Sequence, residues 1–336
     1  MKSIRIGING FGRIGKVFFR LLIDHPEIDL VGINDTMDDQ TLLYLLRFDT
    51  VHGRLNHDLK LENGRLYIDG KGINVGHFAN PAQIPWKEWG ADIVLDSSGR
   101  FTTKADLAKH IAAGAKKVIL SNPPDDKLDN VVILGVNDDT LNAQQQIISN
   151  ASCTANSVAP ILHLLNKEFG IVTAFLNTVH PYTNNQRIID SPHADFRRSR
   201  ASAANIIPTS TSAIKAIHTV MPELADRFHG ISTRVPIISG ALSELVITFE
   251  KPVTVESINA AVERYANSSL KGIVDYCTDP VVSSDIVGSP FSSIFDSLAT
   301  KVVNGTTAQL ITWYDNESGY SNRLVDLVIR LDELGY

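Results

Sequence analysis

The run Gly10-Phe11-Gly12-Arg13-Ile14-Gly15 most constrains what this chain can fold into. A G-x-G-x-x-G pattern alone is a weak signal. Here it follows a short apolar strand at 3–8 and opens a helical stripe of Ile14, Val17, Phe18, Leu21 and Leu22. A glycine turn from strand into helix is the opening of a dinucleotide-binding βαβ unit. The glycines let the backbone approach a pyrophosphate, which rests on the helix N-terminus. The next strand, 30–33, leads to Asp35, about twenty residues past the glycines, where an acid binds ribose hydroxyls and repels a 2′-phosphate. That predicts NAD over NADP. The plain alternative, a glycine turn and a solvated loop acid, has to explain three coincident features.

The strand-helix alternation continues through strands at 93–96, 117–120, 131–135 and 147–149, which predicts a mostly parallel sheet with helices on both faces. Beyond 152 the pattern changes. Segments 172–179, 231–236, 241–250, 293–302 and 307–314 read as longer β-branched strands with fewer helices between them. They predict a mixed or antiparallel sheet packed by helices. The expected fold is therefore α/β: a Rossmann-type doubly wound domain, 1–152, and an α+β catalytic domain, 153–316. A C-terminal helix at 317–336, striped by Leu324, Leu327, Val328 and Leu331, returns to complete the first domain.

At that boundary lies Ala151-Ser152-Cys153-Thr154-Ala155-Asn156, followed by Val158, Ile161, Leu162 and Leu165 at helical spacing and by Gly170 as a stop. Cys153 thus falls at a helix N-terminus, where unpaired N–H groups and the dipole favour thiolate. A small buried hydrophobe is the ordinary role of a lone cysteine; the polar neighbours argue against it. The only other cysteine, Cys277, reads as a packing residue on or beside a strand.

The 336 residues are 43% hydrophobic and 20% charged with net charge −6, an ordinary two-domain balance. No basic field points to nucleic acid or an anionic membrane, and no stretch has the length of a membrane span. The apolar run 4–8 is too short for a secretory signal, and two cysteines do not make a disulfide framework, so a cytoplasmic location is expected.

Block by block, the chain resembles the phosphorylating glyceraldehyde-3-phosphate dehydrogenases. The likeness runs through Ile8-Asn9-Gly10-Phe11-Gly12-Arg13-Ile14-Gly15, Phe48-Asp49-Thr50-Val51-His52-Gly53 and Ala112-Ala113-Gly114-Ala115-Lys116-Lys117-Val118. It continues through Ser149-Asn150-Ala151-Ser152-Cys153-Thr154, Thr178-Val179-His180, Asn205-Ile206-Ile207-Pro208-Thr209-Ser210-Thr211, Arg234-Val235-Pro236 and Trp313-Tyr314-Asp315-Asn316-Glu317. The resemblance implies oxidative phosphorylation of D-glyceraldehyde 3-phosphate with NAD, through a thiohemiacetal and a thioester on Cys153, in a homotetramer.

It also implies residue roles. His180 is the base. Asn9, Gly10, Phe11, Gly12, Arg13, Ile14, Asp35, Ser121 and Asn316 hold the cofactor. Thr183 and Arg234 hold the substrate phosphate. Ser152, Thr154, Thr211 and Ser212 line the site of attacking inorganic phosphate, and Arg198, in the run with Arg197 and Arg200, lies near them. An imidazolium at His180 would lower the Cys153 pKa. His193, His218 and His229 match no catalytic position, and no metal-ligand spacing is evident.

The chain departs from the family where Ala155 replaces Thr, Ser157 replaces Cys, Ser212 replaces Gly and Ser318 replaces Trp. Phe78-Ala79-Asn80-Pro81 stands for Glu-Arg-Asp-Pro, and Asp35-Thr36 with Ser191-Pro192 also occurs in NADP-tolerant relatives. Two alternatives follow. One is a D-erythrose-4-phosphate dehydrogenase that hydrolyses its thioester, against which the intact Thr183 and Thr209-Ser210-Thr211 argue. The other is a catalytically reduced NAD-binding regulatory homologue, against which Cys153 and His180 argue.

Overall fold

A computed structural model describes residues 3–335. The chain divides into two compact units. One runs to Val132 and adds 138–151 and the C-terminal stretch from Ser321; the other comprises Ile133–Asn137 and Ser152–Tyr320.

The first unit is built from β1 (Ile4–Asn9), α1 (Arg13–Leu22), β2 (Ile28–Asn34), α2 (Asp39–Arg47), β3 (Leu59–Glu62), β4 (Arg65–Ile68), β5 (Lys71–Gly76), α3 (Trp86–Trp89), β6 (Ile93–Asp96), α4 (Lys104–Ala112), β7 (Lys117–Leu120), β8 (Asn130–Val131) and β9 (Ile147–Ser149). Its sheet has the order β3-β4-β5-β2-β1-β6-β7-β9-β8 and is parallel from β5 to β8. From β1 the chain winds first toward β2 and β5, then restarts on the other side at β6. The two directions meet at β1 and β6, the switch point where α/β sheets bind ligands.

Three departures from the sequence expectations have local causes. The antiparallel β3-β4-β5 edge shows little periodicity in the sequence, two of its three strands having only four residues. Its signals are the Asn63-Gly64 and Asp69-Gly70 turns, with all four residues at positive φ (52°, 70°, 47° and 85°), the type I′ geometry of tight hairpins. The strand expected at 131–135 stops at Val131, because the Asn137 side chain accepts the Ile133 N–H and turns the chain, and Ile133–Asn137 counts with the second unit. The expected strand 293–302 is broken where the Asp296 carboxylate caps a short 3₁₀ turn at Ser297–Ala299.

The second unit contains α5 (Cys153–Phe169), β10 (Ile171–Pro181), β11 (Ile207–Thr209), α6 (Ala213–Val220), β12 (Phe228–Val235), β13 (Ala241–Phe249), α7 (Val255–Ala266), β14 (Val274–Cys277), β15 (Ser293–Asp296), β16 (Lys301–Val303) and β17 (Thr307–Tyr314). The sheet order is β11-β12-β10-β13-β17-β15-β14, with β16 on β17. It is mixed: β10 runs parallel to β12 and antiparallel to β13. α5 is apolar nearly all round, as a helix enclosed by its own domain must be, and buries Val158, Ile161, Leu162, Leu164 and Leu165. α8 (Ser318–Leu334) ends the chain, and its stretch from Ser321 counts with the first unit.

Candidate active site

The glycine turn of the first unit is built for close approach. Gly10 has φ +91°, where a side chain is strained, and a Cβ on Gly15 would collide with the Gly10 carbonyl. Gly12 caps α1 with no side chain competing for the first-turn N–H groups, and no acid stands in that turn. The Asp35 carboxylate ties the turn to β2: Oδ2 accepts the Phe11 N–H at 2.6 Å and Oδ1 the Met37 N–H at 2.9 Å. An ionised carboxylate has about four lone-pair positions, so acceptor capacity remains for ribose hydroxyls. A dinucleotide pyrophosphate fits this cradle.

The neighbours of the turn are held by buried polar contacts. Asn9 donates to Asp96 at 2.8 Å and accepts from Asn34 at 2.8 Å. The Arg13 guanidinium is paired with Asp49 at 2.5 Å, which fastens α1 to the segment 48–53 and commits that side chain. Ser121 is buried just past the end of β7, its N–H on the Asp96 carbonyl.

In the second unit, Ser152 caps α5 with its hydroxyl on the Ala155 N–H, so Cys153 is the first helical residue. Ala151, immediately before the cap, has φ 55°, an uncommon conformation for a residue with a side chain. Cys153 Sγ lies 3.6 Å from His180 Nε2, although 27 residues separate the two in sequence. His180 stands near the end of β10, directly across from Arg234 in the parallel β10-β12 register. Arg234 Nη1 is 2.5 Å from His180 Nδ1 and donates to the Pro181 carbonyl at 3.1 Å. Among the described residues no carboxylate pairs with Arg234, and its buried Nε has no partner.

This geometry changes one sequence expectation. Burial and the adjacent Arg234 cation hold His180 down to about 3, so the expected imidazolium does not form beside the thiol in the unliganded site. Burial also pushes the Cys153 thiol up, against the opposing pull of Arg234 and of the Thr154 hydroxyl and N–H. The helix N-terminus acts as expected but is outweighed by desolvation. An anion on Arg234 would offset the charge that suppresses the imidazolium.

Other assigned residues fall as follows. The Thr154 hydroxyl is buried and shared with Tyr314 at 2.8 Å, and Thr178 meets the same Tyr314 oxygen at 2.8 Å. Thr183 opens a turn closed by Gln186, whose N–H donates to the Thr183 carbonyl at 2.9 Å. Thr211 Oγ1 accepts the Ala213 N–H at 3.2 Å, and the exposed Ser212 caps α6 through no side-chain bond. Arg198 donates to Thr209 and to the Ser210 carbonyl, and its charge is felt by both His180 and Arg234. Asn316 is buried, with its carbonyl facing the Ser239 hydroxyl at 3.5 Å. Ser318, in the place of the family's Trp, donates to the Gly288 carbonyl at 3.2 Å.

Sequence reasoning gave no role to Tyr314 and Thr178, which join α5, β10 and β17 beneath Cys153 and His180. Both lie within quoted blocks, but a tyrosine that ends a strand reads as packing until the strand order is known. No group of three or more His, Cys, Asp or Glu able to hold a metal occurs among the described residues. No helix among them is long and apolar enough to cross a membrane.

Comparison with known proteins follows these two units. Residues 4–104 match the family described as glyceraldehyde 3-phosphate dehydrogenase, NAD binding domain, and 152–316 match its C-terminal domain. Glyceraldehyde-3-phosphate dehydrogenase 2 of Streptomyces avermitilis is 50% identical over 329 residues, 97% of this chain and 98% of the relative. Glyceraldehyde-3-phosphate dehydrogenase 1 of Bacillus subtilis is 46% identical over 334 residues, 99% of each chain. The Mycobacterium leprae glyceraldehyde-3-phosphate dehydrogenase is 49% identical over 335 residues, 97% of this chain and 98% of the relative.

Proposed function

Since the chain belongs to the glyceraldehyde-3-phosphate dehydrogenase family, we propose that it catalyses the reversible, NAD-dependent oxidative phosphorylation of D-glyceraldehyde 3-phosphate. The observation that carries the reading is Cys153 Sγ at 3.6 Å from His180 Nε2, beside a half-buried arginine that pairs with no carboxylate among the described residues. Cys153 Sγ attacks the aldehyde carbon while its proton passes through His180 Nε2 to the aldehyde oxygen, giving a thiohemiacetal. Bound NAD supplies the hydride acceptor. Loss of the hydride from carbon and of the hydroxyl proton to His180 Nε2 leaves a thioester on Cys153; an oxygen of inorganic phosphate attacks its carbonyl, the acyl phosphate forms, and the sulfur leaves and takes the proton back from His180.

Arg234 and Thr183 hold the substrate's phosphate. A half-buried guanidinium that pairs with no carboxylate among the described residues suits a doubly charged anion, and a phosphate there relieves the field that keeps His180 neutral. Ser152, Thr211, Ser212, Arg198 and the Thr154 backbone receive the attacking phosphate. Asn9 to Ile14, Ser121 and Asn316 hold the cofactor, Arg13 and Ile14 through backbone N–H groups, while Asp35 takes the ribose hydroxyls and disfavours a 2′-phosphate. The domain bounds 1–152 and 153–316 serve these two tasks.

Initial rates with glyceraldehyde 3-phosphate and erythrose 4-phosphate, each with NAD or NADP and with or without phosphate, test the reading. Turnover should be highest with the triose, NAD and phosphate. Equal turnover without phosphate would favour the hydrolytic alternative. His180→Asn should cut turnover by roughly 10²–10⁴-fold, and unchanged turnover removes the base from the scheme.

A homotetramer in the cytoplasm completes the proposal. The free thiols of Cys153 and Cys277 suit a reducing compartment. On one face of the second sheet Phe175 is 60% exposed and sits directly across from Val246, 40% exposed, with Ile231 at 48% nearby. Such a three-strand apolar face suits a second copy of the chain. Sedimentation should give a tetramer, and Phe175→Glu should lower the assembled mass; a native monomer would refute it.

A further inference from the structure

Arg198 could not act on an anion if its long side chain were loose, and its own neighbour in the chain does not hold it directly. Asp195 Oδ2 stands 3.7 Å from Arg198 Nε, beyond hydrogen-bond reach. Between them sits the buried Thr209 hydroxyl, at the end of β11. It donates to Asp195 Oδ2 at 2.6 Å and accepts from Arg198 Nε at 2.8 Å. The direction is forced, because a guanidinium only donates and a carboxylate only accepts. Arg198 Nη2 is fixed separately on the Ser210 carbonyl at 2.9 Å. Two edges of the fork are thus pinned, and Nη1 is the edge left for a ligand. The carboxylate is itself anchored: Oδ1 accepts the Arg197 N–H at 2.9 Å, and the Asp195 N–H donates to His193 Nδ1 at 2.9 Å. His193 Nε2 then meets Asn185 Oδ1 at 2.8 Å.

We propose that Asp195 and Thr209 are positioning residues that aim Arg198 at the inorganic phosphate that attacks the thioester. Both pins tie Arg198 to the segment that leads into Thr211 and Ser212, so inorganic phosphate, not the phosphate of the aldehyde, is the anion served. The hydroxyl relay fixes the orientation of the guanidinium while the carboxylate stays at ion-pair distance, 3.7 Å, and leaves the Nη1 edge open to the ligand. The inference rests on the phosphorylating reading above.

The test uses the full-length enzyme and reads two stages separately: the pre-steady-state NADH burst without phosphate, and the steady-state KM for inorganic phosphate. Thr209→Val and Asp195→Ala should each raise that KM about tenfold or more, the loss of a hydrogen bond to a charged group. The burst rate should stay within about twofold of the unsubstituted enzyme, because hydride loss precedes phosphate attack. Thr209→Ser should restore the KM. A folded Thr209→Val enzyme with unchanged KM for phosphate overturns the proposal, as does a burst that falls in proportion to turnover. If Thr209→Val does not fold, Asp195→Ala gives the same two readings. Absence of phosphate dependence in the unsubstituted enzyme would instead overturn the phosphorylating reading itself.

Discussion

Replacing Cys153 by Ser is expected to abolish NADH production, with turnover falling roughly 10⁴–10⁶-fold, the scale seen when a covalent nucleophile is removed. The substitution changes one atom of similar size. Ser152 still caps α5 on the Ala155 N–H, so the helix and the packing of Val158, Ile161 and Leu162 beneath it should be undisturbed. What is lost is the sulfur. An alcohol has a far higher pKa than a thiol, and an ester is a poorer acyl donor than a thioester. NAD affinity should be retained, since the cradle at Gly10, Gly12 and Asp35 belongs to the other unit. Measured turnover, NAD titration and thermal unfolding together check the expectation. Sustained NADH formation by the variant would eliminate the thioester route.

Arg234→Leu is expected to have the second-largest effect, and its direction on stability is opposite to its direction on activity. The arginine is half-buried, pairs with no carboxylate among the described residues and has a buried, unpartnered Nε, so desolvation pushes its guanidinium pKa down. Removing such a cation should leave the unfolding temperature unchanged or raise it. The KM for the aldehyde phosphate should nevertheless rise about 10²-fold, the loss of a charge-assisted fork on phosphate.

His180 should respond as well. One of the three causes of its depression disappears, burial and the Arg198 charge remaining, so its titration moves up toward the ordinary histidine range, a shift that ring NMR can follow. The pH dependence of stability follows the same logic. In the unsubstituted protein the unfolded chain binds a proton at this residue below its ordinary pKa, and the folded chain does so only near 3. Stability from this group is therefore present above about pH 6.5 and lost as pH falls toward 3. The variant should lose less stability over that window. An unchanged KM would remove Arg234 from the substrate site, and an unchanged His180 titration would remove it from the field on the base.

The serine at 318, where the family usually carries a tryptophan, illustrates how a departure can be absorbed. The residue is buried, and its hydroxyl finds the Gly288 carbonyl. Asp315 collects the N–H groups of Glu317, Ser318 and Gly288, so the approach to α8 is fixed by backbone donors and not by a large side chain. The regulatory alternative raised by this departure gains no support from the packing. Ser212 is different: it stays exposed at the start of α6 and makes no capping bond there, and the structure gives no reason for its side chain.

Local chemistry made much of this protein legible in its sequence. The glycine turn, the Ser152 cap, Cys153 as the first helical residue and the Gly170 stop each depend on interactions within a few residues, so residue type and spacing were sufficient. The hairpin edge at β3-β4-β5 was written there too, in Asn63-Gly64 and Asp69-Gly70. Tertiary structure alone decided what stands opposite what. Strand register set Arg234 beside His180, burial outweighed the helix dipole at Cys153, and the packing of three elements brought Thr154, Thr178 and Tyr314 together. Those outcomes depend on contacts between distant segments and on exclusion of water. Neither quantity exists in the chain until the sheets have formed.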